Sequence, residues 1–194
     1  MTGGVDGATF RRALGRFGSG VTVITVRTSR AEDCGMTASA FSSLSLDPPL
    51  VMVAVKKENR MHAHLARASA FAVNVLSEHQ EELSNRFAGG FVHGGAWTPW
   101  PEGRDKFADL PFSRGGVSGA PLLDGCLAAL DCSLHSILNG GDHDIFVGRV
   151  GQIALADNCV PLRPLVYFAS AYRSLTRDLV AEAETNLRIP DWFD

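Results

Sequence analysis

The residues of this 194-residue chain with the most chemical promise form neither a catalytic dyad nor a metal cluster. They form a stretch of small and hydroxyl-bearing side chains, Gly35-Met36-Thr37-Ala38-Ser39-Ala40-Phe41-Ser42-Ser43-Leu44-Ser45, running on into Leu46-Asp47-Pro48-Pro49-Leu50. Low side-chain bulk lets a flat ring lie against the backbone, and exposed N–H and C=O groups can read its polar edge. By composition alone the favoured reading of the same stretch is a Ser/Thr-rich edge strand and loop.

The other candidates are weaker. His62 and His64 straddle Ala63 and could chelate a metal from a strand; on a helix they point apart, and no third ligand lies nearby in sequence, so no metal is expected. His143 sits between Asp142 and Asp144 in a turn, where pairing with either carboxylate is the simplest role. Cys34, Cys126, Cys132 and Cys159 show neither a C-x-x-C pair nor zinc spacing, and read as free thiols in a reducing compartment. There is no nucleophile elbow, Walker loop or H-E-x-x-H. Gly15, Gly18 and Gly20 do not follow a strand, so they form no dinucleotide fingerprint.

Bulk properties exclude several classes. A net charge of −3 without a Lys/Arg cluster argues against nucleic acid. Hydrophobic residues at 45% and charged residues at 20% suit a globular domain rather than a disordered chain. No apolar run reaches the ~18 residues of a membrane span, and Met1 to Thr9 lacks the charge-then-apolar order of a signal peptide. The expectation is a single cytoplasmic domain over 1–194, with a core of about 10–175 and a tail over 176–194.

The elements that must position these residues are mostly strands. Thr9 is expected to cap a helix carrying Phe10, Leu14 and Phe17 at helical spacing, ended by Gly18-Ser19-Gly20. Val21 to Arg27, Cys34 to Phe41 and Phe71 to Leu76 read as strands, with Ser42 to Asp47 as a connection. Leu50 to Val55 reads as a strand buried on both sides. Asn59 to Ala68 and Glu78 to Phe87 are predicted helices, the second with Ser77 as N-cap and Glu81 as its capping partner. Phe91 to Gly116 is predicted to be a long irregular excursion. Cys126 to Ile137, His143 to Leu155 and Leu165 to Phe168 complete six or seven strands. Strands without regularly interleaved helices predict an antiparallel barrel with helical decoration.

The run GMTASAFSSLSLDPPLVMVAV resembles the signature of the flavin reductase family, the flavin-binding split-barrel reductases that serve two-component monooxygenases. FRRALGRFGSGVTVITV, FAVNVLSEHQEELSNRFAG, PLLDGCLAALDCSLHSILNGGDHDIFVGRV and PLVYFASAYRSL resemble further parts of that family in the same order, from Phe10 to Leu175. The resemblance implies a mostly β, Greek-key split barrel that forms a homodimer, with FMN or FAD near the dimer interface and NADH (or NADPH) as reductant. It implies that Met36, Thr37, Ala38, Ser39, Ala40 and Phe41 line the isoalloxazine. Lys57, Asn59 and Arg60 are implied beside the flavin phosphate, where cations act as charge-assisted donors. The family's serine-rich run after this asparagine is replaced here by Met61-His62-Ala63-His64, so Arg60, a histidine or backbone N–H groups must substitute for hydroxyls. His143 is implied to face the nicotinamide as the catalytic residue, Phe87 to close the pocket, and Tyr172 and Arg173 to form its rim.

The implied activity is NAD(P)H-dependent reduction of flavin, delivered to a separate flavin-dependent oxygenase. Two other readings are open: a split-barrel flavoprotein that retains its flavin and acts on an organic substrate, and a non-enzymatic flavin- or haem-binding module.

Overall fold

The computed structural model describes residues 4–156 and 163–175. Helix α1 (Gly7–Leu14) leads into β1 (Ser19–Gly20), β2 (Thr22–Arg27), β3 (Asp33–Ala38), β4 (Phe41–Ser45) and β5 (Leu50–Lys56). Helix α2 (Arg60–Arg67) precedes β6 (Ala70–Val75), and a 3-10 turn (Glu78–Gln80) opens α3 (Glu81–Ala88). Short strands β7 (Gly90–His93), β8 (Ala96–Pro99), β9 (Phe112–Arg114) and β10 (Pro121–Leu123) follow. The long hairpin of β11 (Ala128–Gly140) and β12 (His143–Leu155), then β13 (Val166–Phe168) and β14 (Ala171–Arg173), complete the described chain.

Seven of these strands form one sheet in the order β3-β2-β6-β11-β12-β5-β4, with every adjacent pair antiparallel. Its two edges, β3 and β4, are neighbours in the chain, joined through Ser39 and Ala40 alone. A link of that length spans about 10 Å at most. The sheet must therefore curl until its edges meet, which makes an antiparallel Greek-key barrel split at this seam. The Ala54 N–H donates to Ala40 O at 2.9 Å and fastens the seam to β5.

Strand β2 is buried on both faces because two cores meet on it. Ile24 and Val26 point into the barrel with Val53, Phe71 and Phe146. Val21, just before the strand, and Val23 pack outward against Leu76, Phe87 and Phe107 under α3. Buried Asn74 bridges the layers: its Nδ2 donates to Val23 O at 3.0 Å, and its Oδ1 accepts from the Leu123 N–H at 2.8 Å. Gly148 is required on β12, since a Cβ there would stand 2.6 Å from the Phe71 ring.

Several local expectations are corrected. Asp6, not Thr9, caps α1, accepting from the Ala8 and Thr9 N–H groups at 3.0 Å each. The helix ends at Leu14, before the Gly18-Ser19-Gly20 run, and its apolar stripe faces outward, with Phe10 54%, Leu14 57% and Phe17 77% exposed. The strand expected over Cys34 to Phe41 ends at Ala38, and Ser42 to Ser45 continues a new strand from Phe41 rather than forming a connection, because the seam at Ser39–Ala40 lets the chain re-enter the sheet at its opposite edge. Strand β5 alternates buried and half-buried positions rather than being buried on both sides. Gln80 rather than Glu81 reaches back to the Ser77 N–H, at 3.0 Å, since a 3-10 turn precedes α3. The excursion over 91–116 contains ordered strand, including the hairpin β7–β8. Cys159 and the tail beyond Leu175 lie outside the described residues.

Candidate active site

Among the described residues, β3 pairs on one side only, with β2. Half of its backbone donors and acceptors therefore lack a ladder partner. Beyond it, Ser39 and Ala40 are exposed, with small side chains that leave the backbone open. Ala38 points into the core, and its carbonyl accepts from Thr22 Oγ1 at 2.8 Å. Phe41 is half-buried against the barrel core.

Three clefts open along β3 and this seam. The first, ≈ 780 Å³, is lined by Thr37, Ser39, Ser84, Asn85, Trp97 and Tyr172, among others. The second, ≈ 540 Å³, takes in Met36, Asn59, Arg60, Phe87, Arg104 and Lys106. The third, ≈ 700 Å³, is lined by Ser39, Ala40, Phe41, Met52, Ile145 and Tyr167. Ala88 belongs to the first and second, while Ser39 and Tyr167 belong to the first and third.

Helix α3 forms the wall of the first cleft. Thr37 Oγ1 donates to Ser84 O at 2.6 Å and ties the helix to the edge strand. The Tyr172 hydroxyl lies 2.8 Å from Ser84 Oγ and donates to Asn85 Oδ1 at 3.2 Å. Burial pushes the Tyr172 phenol above its ordinary value, so it stays protonated as a donor. Arg173 is exposed and donates to the Tyr172 carbonyl at 3.0 Å, outside the three clefts.

The second cleft carries surplus positive charge. Arg60, Arg104 and Lys106 face two carboxylates, Asp33 and Asp105. Asp33 is already held by Arg114, at 2.8 Å, and by Arg27. Asp105 Oδ1 accepts from the Phe107 N–H at 2.8 Å. Among the described residues none of Arg60, Arg104 and Lys106 is ion-paired. Burial lowers the Lys106 ammonium below its usual range. Arg60 begins α2, whose N-cap Asn59 accepts from the Met61 N–H at 2.9 Å. The floor is Phe87, which lies so close to Gly35 that a Cβ there would sit 2.7 Å from its ring. Phe87 is thus both a core residue, stacked edge-on to Phe107 at 5.0 Å, and a wall of the cleft.

Lys57 and His143 stand elsewhere, at the β11–β12 hairpin. Lys57 Nζ donates to Asn139 Oδ1 at 2.8 Å and Gly141 O at 2.7 Å, and pairs with Asp144 at 3.4 Å. His143 Nδ1 lies 2.8 Å from Asp142 Oδ1, and its ring lines none of the three clefts. The hairpin is coupled to α2 through His62, whose Nε2 is 2.8 Å from Asp144 Oδ2. The fold therefore brings Met36, Thr37, Ser39, Ala40, Phe41, Asn59, Arg60, Phe87 and Tyr172 around one seam. Ala38 turns inward, and Lys57, His143 and Arg173 stay outside. Ser84, Asn85, Arg104 and Lys106 complete the clefts; no local pattern marks them, because loop and helix packing alone brings them to β3.

The sequence pattern described as "Flavin reductase like domain" matches residues 14–176. The chain belongs to the flavin reductase family. It is 43% identical over 145 residues to the NADH-dependent FAD reductase of Streptomyces globisporus, covering 75% of this chain and 74% of that one. It is 43% identical over 166 residues to the reductase component of 4-hydroxyphenylacetate 3-monooxygenase from Thermus thermophilus, covering 86% and 95%. The Streptomyces globisporus C-1027 NADH:FAD oxidoreductase in complex with NAD and FAD fragments superposes with a TM-score of 0.76 at 37% identity, covering 89% and 94%. Within this flavin reductase fold, no helix among the described residues is long and apolar enough to cross a membrane.

Proposed function

We propose that this chain is an NAD(P)H-dependent flavin reductase that supplies reduced FMN or FAD to a separate flavin-dependent oxygenase. The observation that carries the reading is the barrel seam: an exposed, low-bulk Ser39–Ala40 link beside an open strand edge, with an adjoining cleft of unpaired cations. Those features fit a flat polar ring bearing a phosphorylated side chain. NADH is favoured as reductant, in keeping with the names of the Streptomyces globisporus proteins.

In this proposal the backbone over 36–41 meets the isoalloxazine edge, while Arg60, Lys106 and the N-terminal turn of α2 hold the phosphate. Bound together, the nicotinamide and flavin supply the redox chemistry themselves, by hydride transfer from the nicotinamide C4 to the flavin N5. The chain's contribution is alignment. Thr37 fixes α3 to β3, Tyr172 fixes Ser84 and Asn85, and Phe87 keeps water from the cleft floor. Such positioning raises the effective concentration of the reacting groups without an acid or base. His143 is proposed to meet the nicotinamide from the hairpin, where its Nε2 is free of protein partners among the described residues. Lys57 braces that hairpin.

The chain is further proposed to be a single-domain cytoplasmic homodimer. The homodimer is supported by the apolar third cleft, whose walls include Leu14, Phe17, Phe41, Met52, Ile145 and Tyr167. Leu14 and Phe17 are exposed large apolar side chains on this cleft, which a second copy of the chain would cover. The activity test is NADH oxidation by purified protein against added free flavin. A rate that rises with free FMN or FAD and saturates is expected. A rate indifferent to added flavin would replace the reading with an enzyme that retains its flavin, and no oxidation with either flavin and either nicotinamide would remove it.

A further inference from the structure

The cations of the second cleft come from two separate elements. Arg60 belongs to α2, whereas Arg104 and Lys106 belong to the loop between β8 and β9. Arg60, Lys106 and the helix end are enough for one phosphate, so Arg104 is surplus to it. Its setting is also unusually built. The Arg104 guanidinium lies over the Trp100 ring at 4.9 Å, and that of Arg86 over the same ring at 4.6 Å. Trp100 Nε1 donates to Arg104 O at 3.0 Å, and the Arg104 N–H closes a turn onto Pro101 O at 3.2 Å. The indole thus fixes both the backbone and the head group of Arg104.

Stacking of this kind removes side-chain freedom before a ligand arrives. It also gathers positive charge. Arg86 Nε is buried without a hydrogen-bond partner, its NH2 donates to Ala108 O, and burial, then Arg104, disfavours its charged form while Asp109 and Asp105 act the other way. Neither of the two like charges over this ring is ion-paired among the described residues, and Arg104, which lines the second cleft, would be relieved by an anion there.

Resting on the flavin reading above, we propose that Arg104, held by Trp100, is a specificity-determining residue that binds the second phosphate of FAD and so selects FAD over FMN. Arg suits this because its planar fork binds phosphate oxygens bidentately. Trp100 acts as a positioning residue, through Arg104.

The test is fluorescence titration of wild type, Arg104→Ala, Arg104→Lys and Trp100→Leu with riboflavin, FMN and FAD, alongside thermal melting. Wild type is expected to bind FAD more tightly than FMN. Arg104→Ala should weaken FAD on the order of tenfold, the loss of one charge-assisted hydrogen bond, while FMN and riboflavin change less than about threefold. Arg104→Lys should fall between, because it keeps charge without the fork. Trp100→Leu should lower the FAD-to-FMN preference in the same direction even though its charge is unchanged. Equal losses for FMN and FAD, or no loss for FAD, would overturn the assignment of Arg104. Should Arg104→Ala fail to fold, the wild-type preference and Arg104→Lys decide it: equal wild-type affinities for FMN and FAD refute the proposal. Wild type that binds none of the three flavins refutes the flavin reading itself, a separate outcome.

Discussion

Replacing Tyr172 by Phe removes a single oxygen from the wall of the first cleft, and the structure sets what that should do. The hydroxyl lies 2.8 Å from Ser84 Oγ and donates to Asn85 Oδ1 at 3.2 Å, and both partners are buried. A typical hydrogen bond contributes about 1 kcal/mol, and a buried group left unpaired loses about 1–3 kcal/mol. Water can enter from the cleft side and recover part of this, which leaves a net loss of about 2 kcal/mol. For a domain of this size each kcal/mol moves the midpoint by about 2–4 °C, so melting should drop by about 4–8 °C. The pH dependence follows from the same group. Burial raises the Tyr172 pKa in the folded state, so the unfolded chain releases this proton first. The stabilising proton is fully present below the unfolded value of about 10 and is lost as pH rises through the higher folded value. Wild type should therefore lose stability above about pH 10 more steeply than Tyr172→Phe. Melting followed by near-UV circular dichroism from neutral to alkaline pH measures both effects. An unchanged midpoint at neutral pH, with parallel alkaline slopes, would refute the claim that Tyr172 anchors α3.

Three further outcomes are expected. Gly35→Val places a side chain against the Phe87 ring, where a Cβ would already lie 2.7 Å away, and overpacking of this kind should destabilise by about 1–3 kcal/mol in urea unfolding. Ser39→Trp should abolish flavin binding in a fluorescence titration while shifting stability by less than about 0.5 kcal/mol, as expected for an exposed position; retained affinity would place the ring elsewhere. The hydrogen bond from His62, with a smaller contribution from Lys57, holds the Asp144 carboxyl below its ordinary value. A depressed carboxyl contributes stability above an unfolded value of about 3.9 and loses it as pH falls through the folded one. Acid unfolding of Asp144→Asn should therefore be less steep below about pH 4 than that of wild type.

How much of this was legible in the sequence depended on whether the signal was local. β2 was legible because β-branched residues crowd it, β6 because Phe71 to Leu76 is a short apolar run, and α2 because Asn59 caps a helix-forming run. β4 was not, because Phe41-Ser42-Ser43-Leu44-Ser45 carries only two apolar residues, spaced three apart rather than alternating, and its place is set by curling of the sheet. Thr9 was read as the cap of α1 because it directly precedes the apolar stripe, yet Asp6 reaches two N–H groups one turn earlier. The stripe itself suggested a packed helix, but nothing in the described chain covers it. The seam residues over 36–41 were found through family resemblance, since their composition also suits an ordinary edge strand. Arg104 and Lys106 left no trace in the sequence, because only the tertiary fold carries the 91–116 segment onto β3 beside Arg60.

The central claim is that the isoalloxazine lies at the barrel seam. Electron density from crystals grown with FMN or FAD tests it most directly. The account predicts a flat ring against Ser39 and Ala40, with its phosphate directed toward Arg60 and Lys106. A ring bound away from the seam, or crystals that take up no flavin at concentrations that saturate turnover, would contradict it.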